Sequence, residues 1–161
     1  MTTSARDSLS IALAQLNPIV GAIDANIDRA RKARDDAAAL GADLVVFPEL
    51  FVTGYPPEDL VLKPAFARAA RRAVENLAAG LGAGPGLILG TVWPDEDKVY
   101  NAVVLIDDGR IQAVRYKVDL PNYGVFDEKR VFAKGPMPGP MVFRGVRIGV
   151  PICEDIWKED V

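Results

Sequence analysis

Histidine is absent from this chain of 161 residues, and cysteine occurs once, at position 153. Without histidine, a cysteine nucleophile lacks its usual base, so any proton chemistry must run on carboxylate, lysine or tyrosine. One cysteine cannot form an internal disulfide, and with no histidine beside it a structural zinc is excluded; carboxylate-bound magnesium is not. Long apolar segments are missing as well. Nothing in the sequence reads as a membrane span or as a basic-then-apolar leader, which fits a reducing cytoplasm. Nor is there a block of one charge: 19 Lys and Arg stand against 22 Asp and Glu, a formal net charge of -3. The basic residues scatter along helix-like stretches, so small molecules are better partners than nucleic acid.

What is present suits one folded domain. Half of the residues are apolar and mean hydropathy is +0.12, enough to bury a core. Residues 1–8 are small and polar and read as a flexible start. Leu9 to Leu16 reads as a buried strand closed by Asn17-Pro18, and Asp24 can cap a helix through Leu40 with Ile27, Ala30, Ala33, Ala37 and Leu40 on one face. A second apolar strand, Asp43 to Phe47, ends at Pro48 and presents Glu49 just beyond it. Strand, helix, strand in that order implies parallel pairing.

A loop at Gly54-Tyr-Pro-Pro57 leads to a helix from Pro64 to Leu81. The glycines at 80, 82, 84 and 86 do not keep the spacing of a dinucleotide-binding loop and follow a helix instead of a strand, so that reading is rejected. Leu87 to Trp93, Val99 to Ile106 and Arg110 to Tyr116 read as an antiparallel meander, which makes the sheet mixed. From Val118 to Pro140 the pattern is irregular, yet Tyr123, Phe126 and Phe132 argue for an ordered, functional loop. Met141 to Arg144 and Val146 to Ile152 resume strand character and deliver Cys153.

Three expected strand ends thus carry reactive groups: Glu49, Lys117 and Cys153. Taken singly, each has an ordinary reading as a turn carboxylate, an edge charge or a small buried thiol. Together they sit where α/β sheets collect reacting side chains.

The segments Phe47-Pro-Glu-Leu50, Tyr116-Lys117 and Ile148-Gly-Val-Pro-Ile-Cys153 resemble, in order, the Glu, Lys and Cys motifs of the nitrilase superfamily, the carbon-nitrogen hydrolases. Within it, Gly54 to Leu60, Leu120 to Glu128 and Cys153 to Trp157 are similar to the glutaminase domains of glutamine-dependent NAD synthetases. The resemblance implies an αββα sandwich with mixed sheets, of which residues 9–161 form the first part, and a separate synthetase domain outside this chain. It implies hydrolysis of the side-chain amide of L-glutamine, with Cys153 as nucleophile, Glu49 as general base and Lys117 as oxyanion stabiliser. Glu128 would support the lysine, Tyr55 and Tyr123 would line the glutamine pocket, and Glu154 would meet the substrate's α-amino group. No cofactor is implied in this domain; ATP, magnesium and deamido-NAD belong with the synthetase domain, which would accept the ammonia. Further copies of the chain are implied as partners.

Two other readings stay open at this point, a stand-alone amidase or nitrilase acting on another small amide and a non-catalytic fragment that mediates assembly. Because two helices cannot cover both faces of so apolar a sheet, residues 1–161 alone are expected to be poorly soluble or oligomeric, with little glutaminase activity. Size-exclusion chromatography with an ammonia-release assay checks this; a monomer that turns over glutamine would overturn it.

Overall fold

In the computed structural model, which describes residues 8–159 and 161, five strands form one mixed sheet in the order β1-β2-β3-β4-β5. These are β1 (Ile11–Leu13), β2 (Leu44–Val46), β3 (Gly86–Asp95), β4 (Lys98–Asp107) and β5 (Arg110–Tyr116). The first three pair in parallel, and β3, β4 and β5 pair antiparallel as a meander. Helices α1 (Ile23–Ala39) and α2 (Pro64–Gly80) supply the crossovers that parallel pairing requires. A short helix, α3 (Glu128–Val131), interrupts the long loop after β5, and the hairpin β6 (Met141–Phe143) and β7 (Val146–Ile148) forms a second, two-stranded sheet.

Side-chain alternation divides the core between the two faces of the large sheet. Val45, Leu87, Leu89, Val104 and Ile106 pack with Ile27 and Ala30 of α1 and with Ala70, Val74 and Leu77 of α2. Leu44, Ile88, Val103 and Leu105 point the other way and meet Met141, Phe143 and Ile152. Each aliphatic side chain fully buried this way contributes about 1.5–3 kcal/mol, which is why strands only three residues long can hold their places. Both helices therefore lie on one face, and the hairpin begins a second sheet on the other. On the hairpin's side, Ile11 and Leu13 of the edge strand remain 48% and 70% exposed.

Several boundaries differ from the sequence reading, each for a local reason. The first strand is short and mostly exposed instead of running from Leu9 to Leu16, because its partner β2 offers only Leu44 to Val46 for pairing. Helix α1 starts at Ile23 with no side-chain cap, so Asp24 sits in its first turn, and Leu40 lies past its end, exposed. Most consequentially, Cys153 does not end a strand. β7 stops at Ile148, since Gly149 and Pro151 do not continue a ladder, and Cys153 opens a 3-10 turn, Cys153–Trp157. The expected flexible start at residues 1–8 lies outside the described residues, apart from Ser8.

The segment that carries Glu49 is strapped tightly across β3. The amide of Phe47 donates to the carbonyl of Ile88 (2.9 Å) and that of Val52 to the carbonyl of Gly90 (3.1 Å), while Leu50, Phe51 and Val52 are fully buried. A Cβ on Gly90 would stand 2.3 Å from the Pro48 carbonyl oxygen and 2.6 Å from the Leu50 nitrogen, so no side chain fits beneath the strap. Gly90→Ala is therefore expected to cost about 1–3 kcal/mol, as overpacking does, and to displace Glu49. Urea unfolding with an activity assay reads both effects; wild-type values in each would show that the strap has room to move.

Candidate active site

Glu49, Lys117 and Glu128 form a compact ion cluster. Lys117 follows β5, its backbone amide bonds the Asn101 carbonyl of β4 (2.8 Å), and its own carbonyl accepts the amide of Gly135 (2.8 Å). Both backbone groups are thus fixed, and the side chain is wholly buried. Its Nζ donates to Glu49 Oε1 at 2.7 Å and lies 2.9 Å from the carboxylate of Glu128, itself buried on α3. Burial favours the neutral amine, but the charges and hydrogen bonds of Glu49 and Glu128 more than offset it and raise the Lys117 pKa above its ordinary value. Burial also raises the pKa of Glu128, opposed by the hydrogen bond and charge of Lys117.

Cys153 faces this cluster from the 3-10 turn. Its backbone has φ of 48°, in the left-handed region that a residue with a Cβ seldom occupies, and its side chain is exposed. Burial raises its thiol pKa most; Glu49 raises it further through its charge and as a hydrogen-bond acceptor, while the charge of Lys117 lowers it. The turn is held by Asp155, which is almost wholly buried. Asp155 Oδ2 accepts the amide of Ile152 (3.1 Å), and Oδ1 accepts those of Val118 (3.1 Å) and Asp119 (2.8 Å). One carboxylate therefore ties the residues beside Lys117 to the residue before Cys153.

The remaining residues singled out from the sequence gather around the same point. Tyr55 and Glu128 line one cavity, and burial pushes the Tyr55 phenol up to about 12, with further upward contributions from the charges of Glu49 and Glu128. Tyr123 donates its hydroxyl to Glu154, 2.9 Å from Oε2 and 3.0 Å from Oε1, and this hydrogen bond is the main cause of its raised pKa. Asn101 and Asp155 were not singled out. The signal for Asn101 was a single amide inside the apolar run Val99 to Ile106; that for Asp155 was its place two residues after the cysteine. Asn101 Nδ2 donates to Glu49 Oε1 at 2.7 Å. Among the described residues, no group of three or more His, Cys, Asp or Glu side chains is arranged to hold a metal ion.

A carboxylate and a buried ammonium set against a thiol on an α/β scaffold can remove the thiol's proton and stabilise an anion formed beside it. The comparisons agree with that chemistry: residues 10–160 match the model of the carbon-nitrogen hydrolase family, and the chain belongs to that family. Within the family its likeness is narrower. It is 49% identical over 155 residues to the glutamine-dependent NAD(+) synthetase of Rhodobacter capsulatus, an alignment covering 96% of this chain and 28% of the relative. It also superposes on the structure of the glutamine-dependent NAD+ synthetase from Acinetobacter baumannii in complex with ADP, with a TM-score of 0.87 and 40% identity, covering 92% of this chain and 28% of that one. A mutant of the amidase from Nesterenkonia sp. AN1, whose structure shows acrylamide added at the active-site cysteine, is 28% identical with a TM-score of 0.72 over 87% of this chain and 55% of its own. The chain spans just over a quarter of the length of the synthetases it matches. The nitrilase-like α/β fold read from the motifs is the fold observed.

Removing the ammonium alone should expose the cost of the cluster. In Lys117→Met the buried Glu128 and the part-buried Glu49 face each other without a cation, a loss on the order of 3–5 kcal/mol. The sign of its pH dependence follows from Glu128, whose folded pKa is already raised above its ordinary value of 4.5. A carboxyl so raised favours the fold at pH below its unfolded pKa, and this contribution is lost as pH rises through the folded value. Stability of Lys117→Met should therefore fall more steeply than that of the wild type between about pH 4 and pH 8. Thermal melts across that range check it; parallel curves would mean that the lysine does not oppose the effect of burial on Glu128.

Proposed function

We propose that this chain is a glutaminase unit that hydrolyses the side-chain amide of L-glutamine and supplies ammonia for ATP-dependent conversion of deamido-NAD to NAD. The observation that carries the reading is the convergence of Glu49, Lys117 and Cys153 in a chain 49% identical to a glutamine-dependent NAD(+) synthetase. In the reaction, Glu49 takes the thiol proton as the sulfur electron pair attacks the amide carbon. Lys117 Nζ and the backbone N–H of Glu154 stabilise the oxyanion, a role worth on the order of 3 kcal/mol per donor. The C–N bond then breaks, Glu49 returns the proton to the leaving nitrogen, and ammonia departs from a thioester. Water, deprotonated by Glu49, attacks the thioester carbon; glutamate leaves and the proton restores the thiol.

Glu128 fixes the lysine and takes no proton in this scheme. Tyr55 and Tyr123 border the substrate, and the Glu154 carboxylate, steadied by Tyr123, suits the α-amino group of glutamine. ATP, magnesium and deamido-NAD belong to a synthetase part outside this chain, with which it works in the cytoplasm as a homo-oligomer. Among the described residues, no helix is long and apolar enough to cross a membrane.

The likeness to the Nesterenkonia amidase favours a second reading, hydrolysis of a different small amide by the same three groups. Glu154 separates the two, because an amide without an ammonium group gains nothing from a carboxylate at the mouth. A purely assembling fragment requires no thiol chemistry at all.

In the polypeptide that carries the synthetase part, Cys153→Ala should abolish NAD formation from glutamine and leave formation from free ammonia within about twofold of the wild type, because only the first needs the thioester. Both rates are measured by NAD production with either nitrogen source. Loss of both in a folded variant would remove the assigned role.

A further inference from the structure

Asn101 stands in the middle of β4, opposite Val92 of β3, and is 1% exposed among apolar neighbours. Its amide nitrogen donates to Glu49 Oε1 at 2.7 Å, the same oxygen that Lys117 Nζ meets at 2.7 Å. Turned this way, its carbonyl Oδ1 is buried with no hydrogen-bond partner among the described residues. A buried orphan acceptor is a liability that an aliphatic side chain in this strand would avoid, so the orientation is explained by what the nitrogen does.

We propose that Asn101 is a positioning residue that selects which oxygen of Glu49 acts as the base. With two donors converging on Oε1, that oxygen's lone pairs are engaged, and a proton placed there would be set against Nζ–H and Nδ2–H. Oε2 is left to receive the proton: the S–H bond of Cys153 breaks, an O–H bond forms on Oε2, and the electron pair stays on sulfur. Asn101 thereby holds Glu49 in one orientation between Lys117 and the thiol. The charged and titratable groups facing Glu49 are Lys117 from the end of β5, Glu128 from α3, Cys153 from the 3-10 turn and Tyr55 from the loop after β2. This inference rests on the proposed role of Glu49 as base, but not on which amide is hydrolysed.

The test, in the polypeptide that carries the synthetase part, is the pH profile of Cys153 alkylation by iodoacetamide, together with kcat and KM for glutamine, in Asn101→Ala and in the nearly isosteric Asn101→Leu. A donor aimed at a carboxylate favours its ionised form, so its loss should move the acidic limb of the profile upward by about one pH unit in both variants. It should also lower kcat by about tenfold to a hundredfold with KM little changed. Circular dichroism and thermal melts select folded protein, and the Leu variant serves if the Ala variant is unfolded. A purely structural role would leave the limb where it is, and an unmoved limb in folded variants overturns the inference. Glu49→Gln run alongside separates this result from a failure of the mechanism. An unchanged profile in Glu49→Gln removes Glu49 as the base and this inference with it, whereas a changed profile there with unmoved Asn101 variants overturns this inference alone.

Discussion

A fully buried ammonium is the constraint around which the rest is arranged. Lys117 is sealed from bulk solvent, and a charge in that position is tolerable only when paired and hydrogen-bonded. Glu49 and Glu128 do this from separate parts of the chain, one on the strap after β2 and the other on a short helix inside the long loop. Pairing the lysine therefore also fixes that loop to the sheet. The tight packing of the Glu49 strap over Gly90 and the close seat of Gly135 against the Lys117 backbone follow from the same requirement, because a cluster at 2.7–2.9 Å tolerates little displacement of its elements.

Asp155 solves the complementary problem of aiming the thiol. The turn that begins at Cys153 carries a backbone conformation unfavourable for a residue with a side chain, and such geometry persists only where its surroundings over-determine it. Three backbone amides directed at one buried carboxylate provide that. Two of the three belong to the residues that directly follow Lys117. The Asp155 carboxylate thus couples the backbone that follows Lys117 to the turn that presents Cys153.

How much of this was legible in the sequence depended on the length of the pattern. The meander Gly86 to Tyr116 was plain, since long runs of β-branched and aliphatic residues separated by Asp107-Asp108-Gly109 have few other solutions. Helix α2 was equally plain from its spacing. Short strands were not, because three residues carry almost no periodicity, and β1 and β7 were both drawn too long. Glu49, Lys117 and Cys153 were singled out through motif likeness and placement near expected strand ends. The turn that presents Cys153 was missed because it is fixed by Asp155, a contact between residues 36 and 37 positions apart for two of its three bonds. Asn101 was invisible for the opposite reason: a polar residue in a strand reads as an outward-facing position until the fold shows that both sides of β4 are covered.

Why such a site dispenses with histidine follows from its charges. In a cysteine–histidine pair the neighbouring cation lowers the thiol pKa, and the nucleophile can rest as an ion pair. Here burial and Glu49 hold the Cys153 thiol up, opposed only in part by Lys117. In the proposed reaction, activating the thiol moves a negative charge from Glu49 to sulfur without creating a new pair of charges. In that proposal Lys117, held beside Glu49 and Glu128, offsets the charge of the substrate oxygen as that oxygen becomes anionic. A carboxylate base suits this task because it becomes neutral on taking the proton, so the ammonium is shared with one fewer anion while the oxyanion forms. Had an imidazole stood in that place, the proton transfer would have added a second cation beside a buried lysine, at the cost of their repulsion in a weakly solvated site.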